Sequence, residues 1–342
     1  MNLQKVKVIH GVSQNAIPRE IITAAEPIIF KGLVSDWPMV HAGQVSDQAS
    51  VDYLKSFYNG NPTIVCKIPA ENNGRMFYNS DCTRLDYESF KGRIDETLDL
   101  ILQSAQQPNS PTYYIASNII ATHLPGFNET NSLIVPREPH MDALADRVSV
   151  WIGGATTATC HFDALDNIAC CVAGKRRFTL FAPDQVGNLY PGPLEPTPGG
   201  QVISMVDFKN PDFEKFPHFQ TALNNAQVAE LEPGDALYIP SMWWHHVESL
   251  KSYNILVNYW WEDSPAFLSS GMNAMYLAML GIRDKSAHER AAWRYLFDYY
   301  IFDGPEKANA HIPAEGRGFL QTLDRLLGRK LRAMLLNRSE ER

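Results

Sequence analysis

The chain has 342 residues, 45% hydrophobic and 11% aromatic, enough to bury a large core with room for more than one lobe. A formal charge of -8 at pH 7, with no long basic run, excludes a protein that grips duplex nucleic acid by its backbone. The start, MNLQKVKVIHGVSQNAIPREI, lacks the apolar stretch of a signal peptide, and nowhere do about 18 apolar residues run together, so a cytoplasmic chain without membrane contact is expected.

Taken in chain order, residues 1–107 read as an α+β lobe integrated with the β-rich region after it. Short apolar runs such as PIIFKGL and TIVCKIP alternate there with the helix-like SVDYLKSFY and YESFKGRIDETLDLILQSA. From 108 to 264 the runs are short and rich in β-branched and aromatic residues. Turn signals such as APDQVGN, PGPLEPTPGG and EPGD separate them, which is the pattern of an antiparallel sandwich or barrel. The five cysteines, Cys66, Cys82, Cys160, Cys170 and Cys171, are odd in number and without C-x-x-C spacing, so reduced, buried thiols are expected.

Residues 265–342 switch to helical periodicity, ending in GFLQTLDRLLGRKLRAMLLN. In that segment Phe319, Leu323, Leu326, Leu327, Leu331, Met334 and Leu335 recur at threes and fours. The stripe packs either on the chain's own barrel or on a second copy. The expectation carried forward is a homodimer through these helices, with Arg325, Arg329, Lys330 and Arg332 on the solvated face.

Chemistry concentrates in two places. In TATCHFDALDN an extended strand puts His161 and Asp163 on one face, because side chains two apart point the same way. A third ligand from a distant strand completes two histidines and one carboxylate, the donor set that holds Fe(II) with positions left open. SMWWHHVES offers His245 or His246. A lone His-x-Asp is common by chance; the apolar strand behind it, the Gly-Lys-Arg-Arg turn and the later PGDALYIP turn together lay out a double-stranded β-helix, or cupin.

The stretch from HFDALDN through GKRRFTLFAPDQVGNLYPGP, VDFKNPDFEKFPHFQ and PGDALYIPSMWWHHVES to VNYW resembles the JmjC, or cupin-8, family of Fe(II)- and 2-oxoglutarate-dependent hydroxylases, and within it most of all the asparaginyl hydroxylases. The likeness covers about 100 residues closely and extends more loosely to LVSDWP and TYYIASN. It implies a mainly β fold: a double-stranded β-helix (cupin, jelly-roll) core, an α+β N-terminal lobe and a helical C-terminus.

The resemblance implies His161, Asp163 and His245 as iron ligands, with His246 turned away. It places Arg176 and Tyr114 on the distal carboxylate of 2-oxoglutarate, although Lys175 competes with Arg176 if the chain bulges at Gly174. The asparaginyl hydroxylases carry lysine where Arg176 stands, and a threonine where this chain has Ala158; Thr157 and Thr159 flank that position and are carried as co-substrate contacts. Asn167, Asn258 and Trp260 match pocket-lining residues. The implied reaction consumes 2-oxoglutarate and O2, releases succinate and CO2 and hydroxylates a C–H bond of a protein side chain or small molecule. Apolar Val202 and Ile203 replace an Arg-Gln pair of the asparaginyl hydroxylases, so asparagine as substrate is not inherited. Two alternatives remain: a non-catalytic cupin-like binding protein, and a non-oxidative metal cupin, whose usual three histidines and a glutamate this chain does not supply.

Overall fold

The computed structural model describes residues 3–137 and 146–340. Residues 3–137 with 146–263 form one compact unit, and 264–340 a second. No helix among the described residues is long and apolar enough to cross a membrane.

In the first unit the strands form two sheets. One has nine strands, in spatial order Lys7–His10, Ile28–Lys31, Ala236–Ile239, Asp166–Ala173, Asn254–Trp261, Arg147–Gly153, Thr112–Ile119, Thr63–Ile68 and Glu88–Gly92. The other has six: Gln4–Lys5, Gln227–Leu231, Arg176–Phe181, Trp244–Ser249, Thr157–Phe162 and Arg75–Met76. From Thr157 the chain crosses between the sheets at nearly every turn, and this winding is the double-stranded β-helix. Strands from the first hundred residues join both sheets, so the N-terminal part is built into the barrel rather than set beside it.

The strand Asp166–Ala173 shows why apolar runs here lack a polar face. Ile168, Cys170 and Val172 point outward into a core shared with the helices Pro38–Val45, Asp47–Lys55 and Ile94–Ser104, while Ala169 and Cys171 point between the sheets. There they meet Phe178, Leu180, Leu237, Val247 and Leu256. All five cysteines are unpaired thiols.

Gly174 makes the crossing from Ala173 in one sheet to Arg176 in the other. Its φ of +76° lies in the left-handed region, and a Cβ there would come 2.3 Å from Asn254 Oδ1 and 2.4 Å from the Tyr253 carbonyl oxygen. Asn254 has no room to yield, since its Nδ2 donates to the Gly154 and Lys251 carbonyls and its Oδ1 accepts from the Lys175 amide. Gly174→Ala should therefore lower stability by about 2–3 kcal/mol, from backbone strain and overpacking together. Urea unfolding reads this directly, and an unchanged midpoint would contradict the turn.

Two segments differ from their sequence reading. The part of YESFKGRIDETLDLILQSA expected as one helix divides into a strand, Glu88–Gly92, and a helix, Ile94–Ser104. Pairing with Thr63–Ile68 overrides helical propensity in the first part, and a Cβ on Gly92 would lie only 2.8 Å from Val65 Cγ2.

In the second unit the final helix is Arg325–Glu340, so Phe319 and Leu323 lie ahead of it. The reason is local: Asp324 Oδ1 accepts the Leu327 amide at 2.7 Å and caps the helix at that point. The other helices of eight or more residues here are Gly271–Ala278 and Ala287–Phe297, the latter opened by a capping box between Ser286 and Glu289.

Candidate metal centre

Two neighbouring strands of the six-stranded sheet build the centre. Thr157–Phe162 pairs antiparallel with Trp244–Ser249, with His161 opposite His245 and Trp244 opposite Phe162. Beyond that pair the register slips, so that Val247 faces Ala158. Asp163 follows the first strand directly, and its carbonyl accepts the Met242 amide at 2.8 Å, tying the two strand ends together. Ligand atoms of His161, Asp163 and His245 all lie within 4.8 Å of one another. His245 Nε2 is 3.6 Å from Asp163 Oδ2, and the two imidazole centroids are 4.4 Å apart.

Each imidazole is locked from behind. His161 Nδ1 lies 2.8 Å from the Thr159 carbonyl and His245 Nδ1 lies 2.9 Å from the Trp243 carbonyl. A carbonyl only accepts, so each Nδ1 carries the proton and each Nε2 keeps its lone pair for a metal. Burial, helped by the neighbouring His161, pulls the His245 pKa down to about 4, so the ring is neutral at physiological pH. The donor set, two imidazoles and one carboxylate on a partly open face, suits Fe(II).

His246 takes the other face of the strand. It is 4% exposed, stacks on Phe208 with centroids 4.3 Å apart, and neither ring nitrogen has a hydrogen-bond partner. Burial, reinforced by Arg75 and Lys209, pulls its pKa down to about 3. Of the two tryptophans before the histidines, Trp244 is buried against Phe162 and Trp243 packs partly on the inter-sheet core.

Deeper between the sheets lies a group of unsatisfied polar atoms. Arg176 is 3% exposed, and its Nε and Nη2 have no partner. It shares the inward face of its strand with Phe178 and Leu180, and burial pulls its pKa down while the Tyr114 phenol and Cys171 thiol counter this. Tyr114 is buried, and its ring fits only because position 153 is glycine: a Cβ there would stand 2.6 Å from Tyr114 Cδ2. Ser149 Oγ, Trp151 Nε1, Asn258 Oδ1 and Trp260 Nε1 are also buried without partners. Tyr114, Trp151 and Trp260 form a chain of rings at 6.0 and 5.7 Å. Unpaired buried polar groups each cost about 1–3 kcal/mol, and here they include a guanidinium held between the sheets near the Tyr114 phenol, which fits a bound carboxylate.

The remaining expected residues divide. Asn167 Oδ1 accepts from Asn258 Nδ2 at 2.8 Å, so these two amides form a pair beside Trp260, which is cross-strand from Asn167. Lys175 points away from Arg176, toward Glu232 at 2.8 Å and Glu230 at 3.3 Å. Thr157 and Thr159 are not brought to the group. Thr159 Oγ1 donates to the Met76 carbonyl, and Thr157 lines a cavity shared with His246; between them Ala158 packs with the inter-sheet core. The register slip is the reason: strict alternation from His161 would turn Thr159 and Thr157 inward, and the slip puts Ala158 on that face instead.

Sequence reading missed Ser149 and Trp151. These two sit two apart in RVSVWIG on the strand paired with VNYW, a period-two signal masked by the valines that alternate with them. Ile203 forms a bridge with His161, and the Ser204 amide donates to the Cys160 carbonyl at 2.7 Å. The apolar Val202-Ile203 pair thus lies along the metal-side strand.

A family model described as a cupin-like domain matches residues 14–267. The chain is similar to HSPB1-associated protein 1 of Rattus norvegicus, 33% identical over 147 residues that make up 42% of this chain and 30% of the relative. It is similar over a longer span to JmjC domain-containing protein D of Dictyostelium discoideum, 27% identical over 276 residues, 74% of this chain and 56% of that one. A third match, 32% over 159 residues, is to tRNA wybutosine-synthesizing protein 5 of Gallus gallus, covering 46% of this chain and 43% of the relative. The aligned part spans less than a third of the HSPB1-associated proteins and just over half of the Dictyostelium protein.

Proposed function

The chain belongs to the cupin-like JmjC family, and from that premise we propose that it is an Fe(II)- and 2-oxoglutarate-dependent oxygenase that hydroxylates a C–H bond of a protein side chain or a small molecule. The observation that carries the reading is the convergence of His161, Asp163 and His245 within 4.8 Å, with both imidazoles held by backbone carbonyls so that Nε2 faces the metal position. Fe(II) with 2-oxoglutarate and O2 supplies the oxidation, in which the co-substrate is decarboxylated to succinate and a substrate C–H becomes C–OH. The chain's own residues bind and orient. His161, Asp163 and His245 hold the metal. Arg176 neutralises the distal carboxylate of 2-oxoglutarate, with the Tyr114 hydroxyl beside it, in a space from which the inter-sheet core excludes water. The Asn167–Asn258 pair and Trp260 form the wall. No side chain is needed as a general base.

The test is anaerobic binding of Fe(II) and 2-oxoglutarate to the full-length chain, followed by succinate release when O2 is admitted. Metal binding without 2-oxoglutarate binding would make the protein a non-oxidative cupin, and binding of neither would leave a non-catalytic cupin-like protein.

We further propose that the second unit pairs with a second copy of the chain. Among the described residues of 264–340, Ala308 is the only buried apolar residue, while Leu280 is 87% exposed, Tyr295 76%, Phe302 73% and Leu336 64%. A helical unit stands on a shared hydrophobic core, and obligate homodimer interfaces resemble such a core cut in half. Sedimentation should show a dimer for the full chain and a shift toward monomer for Leu326→Arg and Leu335→Arg, both on exposed positions of the final helix. A full-length protein that sediments as a monomer at tens of micromolar would end this reading.

A further inference from the structure

One segment of the first unit is fixed at its two ends and tied at one point between them. The Gly192 amide donates to the Ile203 carbonyl at 2.8 Å, and Ile203 is in turn bridged to His161 on the metal-bearing strand. Residues 193–202 therefore form a loop whose ends lie together, rooted on the edge of the strand that carries His161. Pro193, Pro196 and Pro198 stiffen its first part. Gly199 and Gly200 follow, and no atom lies within 4 Å of where a Cβ would stand on either, so packing does not restrain the chain at that point.

Among the described residues a single hydrogen bond holds this loop from outside: the Tyr87 hydroxyl donates to the Pro198 carbonyl at 3.1 Å. Tyr87 follows a hairpin that is itself firmly closed. Tyr78 bridges Leu85, the Phe77 amide donates to the Asp86 carboxylate, and the Asp86 amide donates to the Phe77 carbonyl. The Tyr87 ring packs on the buried cluster of Cys66, Ile68, Met76 and Tyr114, and Tyr114 is the phenol assigned to the distal carboxylate of 2-oxoglutarate. Burial pushes the Tyr87 phenol well above its usual range, with Cys66, Asp86 and Tyr114 pushing the same way, so it remains a donor at physiological pH. The loop thus starts from the metal-bearing strand and is held against the wall of the co-substrate position.

We propose that residues 193–202 are a strap that closes over the co-substrate position, and that Tyr87 is the positioning residue that latches it. The inference rests on the oxygenase reading for what lies beneath the strap. Closure keeps water from Arg176 and from the carboxylate it holds, which strengthens their attraction. Bound 2-oxoglutarate then favours the closed strap, and the closed strap retains 2-oxoglutarate by the same factor.

The test is amide hydrogen exchange in residues 193–202 of the full-length chain, carrying Mn(II) in place of Fe(II) so that nothing turns over, with and without 2-oxoglutarate. In the wild-type chain 2-oxoglutarate should slow exchange there by about fivefold, the worth of one ordinary hydrogen bond. Tyr87→Phe keeps the ring on its cluster and removes only the latch. It should speed exchange in 193–202 by a similar factor, leave the hairpin from Phe77 to Asp86 as it was, and hasten the release of 2-oxoglutarate, followed by exchange of radiolabelled against unlabelled co-substrate. Calorimetry on the same samples reports binding itself: a chain that does not take up 2-oxoglutarate ends the oxygenase reading and the strap with it. If 2-oxoglutarate binds and exchange in 193–202 does not change, the strap alone is overturned. A Tyr87→Phe chain that loosens the loop yet releases 2-oxoglutarate at the wild-type rate would overturn the latch, leaving Tyr87 a structural tie.

Discussion

Alanine in place of His161, Asp163 or His245 lowers the affinity of the chain for Fe(II) by well over tenfold in each case, while His246→Ala changes it far less. Disturbing a hydrogen-bond partner behind a metal ligand already costs about 10–100-fold, and removing one of three ligands outright has to exceed that. The neighbouring histidines make the comparison sharp. They are adjacent in sequence and equally buried at 4%, so a general loosening of the strand would affect both variants alike. His245 Nε2 faces Asp163 at 3.6 Å, whereas His246 stacks on Phe208 and touches neither ligand by a hydrogen bond. His246→Ala is therefore expected to cost stability through lost packing and leave the metal in place. Anaerobic titration with Fe(II), or with Co(II) as a visible reporter, measures both quantities on the same samples. If His246→Ala strips the metal and His245→Ala does not, the assignment of faces along this strand is wrong.

The second large effect is expected at Arg176. Arg176→Ala should raise the apparent requirement for 2-oxoglutarate by well over tenfold, because truncating one partner of a desolvated charge pair costs about 2–5 kcal/mol and each 1.4 kcal/mol or so is a factor of ten. Arg176 is 3% exposed with two guanidinium nitrogens unpartnered, so a carboxylate brought beside it gains charge-assisted hydrogen bonds that nothing else in the chain supplies. Lys175→Ala is the control. That ammonium sits in an exposed cluster with Glu230 and Glu232, so its loss should change little, either in stability or in the requirement for the co-substrate. Arg176→Lys keeps the charge but loses the planar fork, so its requirement should fall between wild type and Arg176→Ala. Steady-state kinetics, or calorimetry with 2-oxoglutarate on the metal-loaded chain, decides the matter; small and equal effects of Lys175→Ala and Arg176→Ala would remove Arg176 from the site.

Much of this was legible in one dimension. Turn signals and short β-branched runs from Thr112 to Trp261 read as a multi-stranded sandwich or barrel, and that region supplies most of both sheets. The two-residue spacing of His161 and Asp163 put them on one face without reference to any other strand, and the resemblance to the JmjC family pointed to a partner in SMWWHHVES. These are local or periodic properties, and a period of two survives translation into any sheet.

Only tertiary structure decided which face is the inner one. A period states that Lys175 and Arg177 oppose Arg176; the pairing of Arg176 with Leu231 and Ser249, after the left-handed turn at Gly174, turns Arg176 inward and its neighbours out. The same holds for Ala158 between Thr157 and Thr159, because a register slip between the paired strands shifts parity in a way no single strand records. The helix expected from Phe319 begins at Arg325 because a side chain three residues from Leu327 competes for its amide. The unpartnered groups of Arg176, Ser149, Trp151, Asn258 and Trp260 come from three strands far apart in sequence. The chain by itself specified the strands, their alternation and the chemical types available. Which side chains were left buried without partners, and therefore waiting for a ligand, depended on the strands they were packed against.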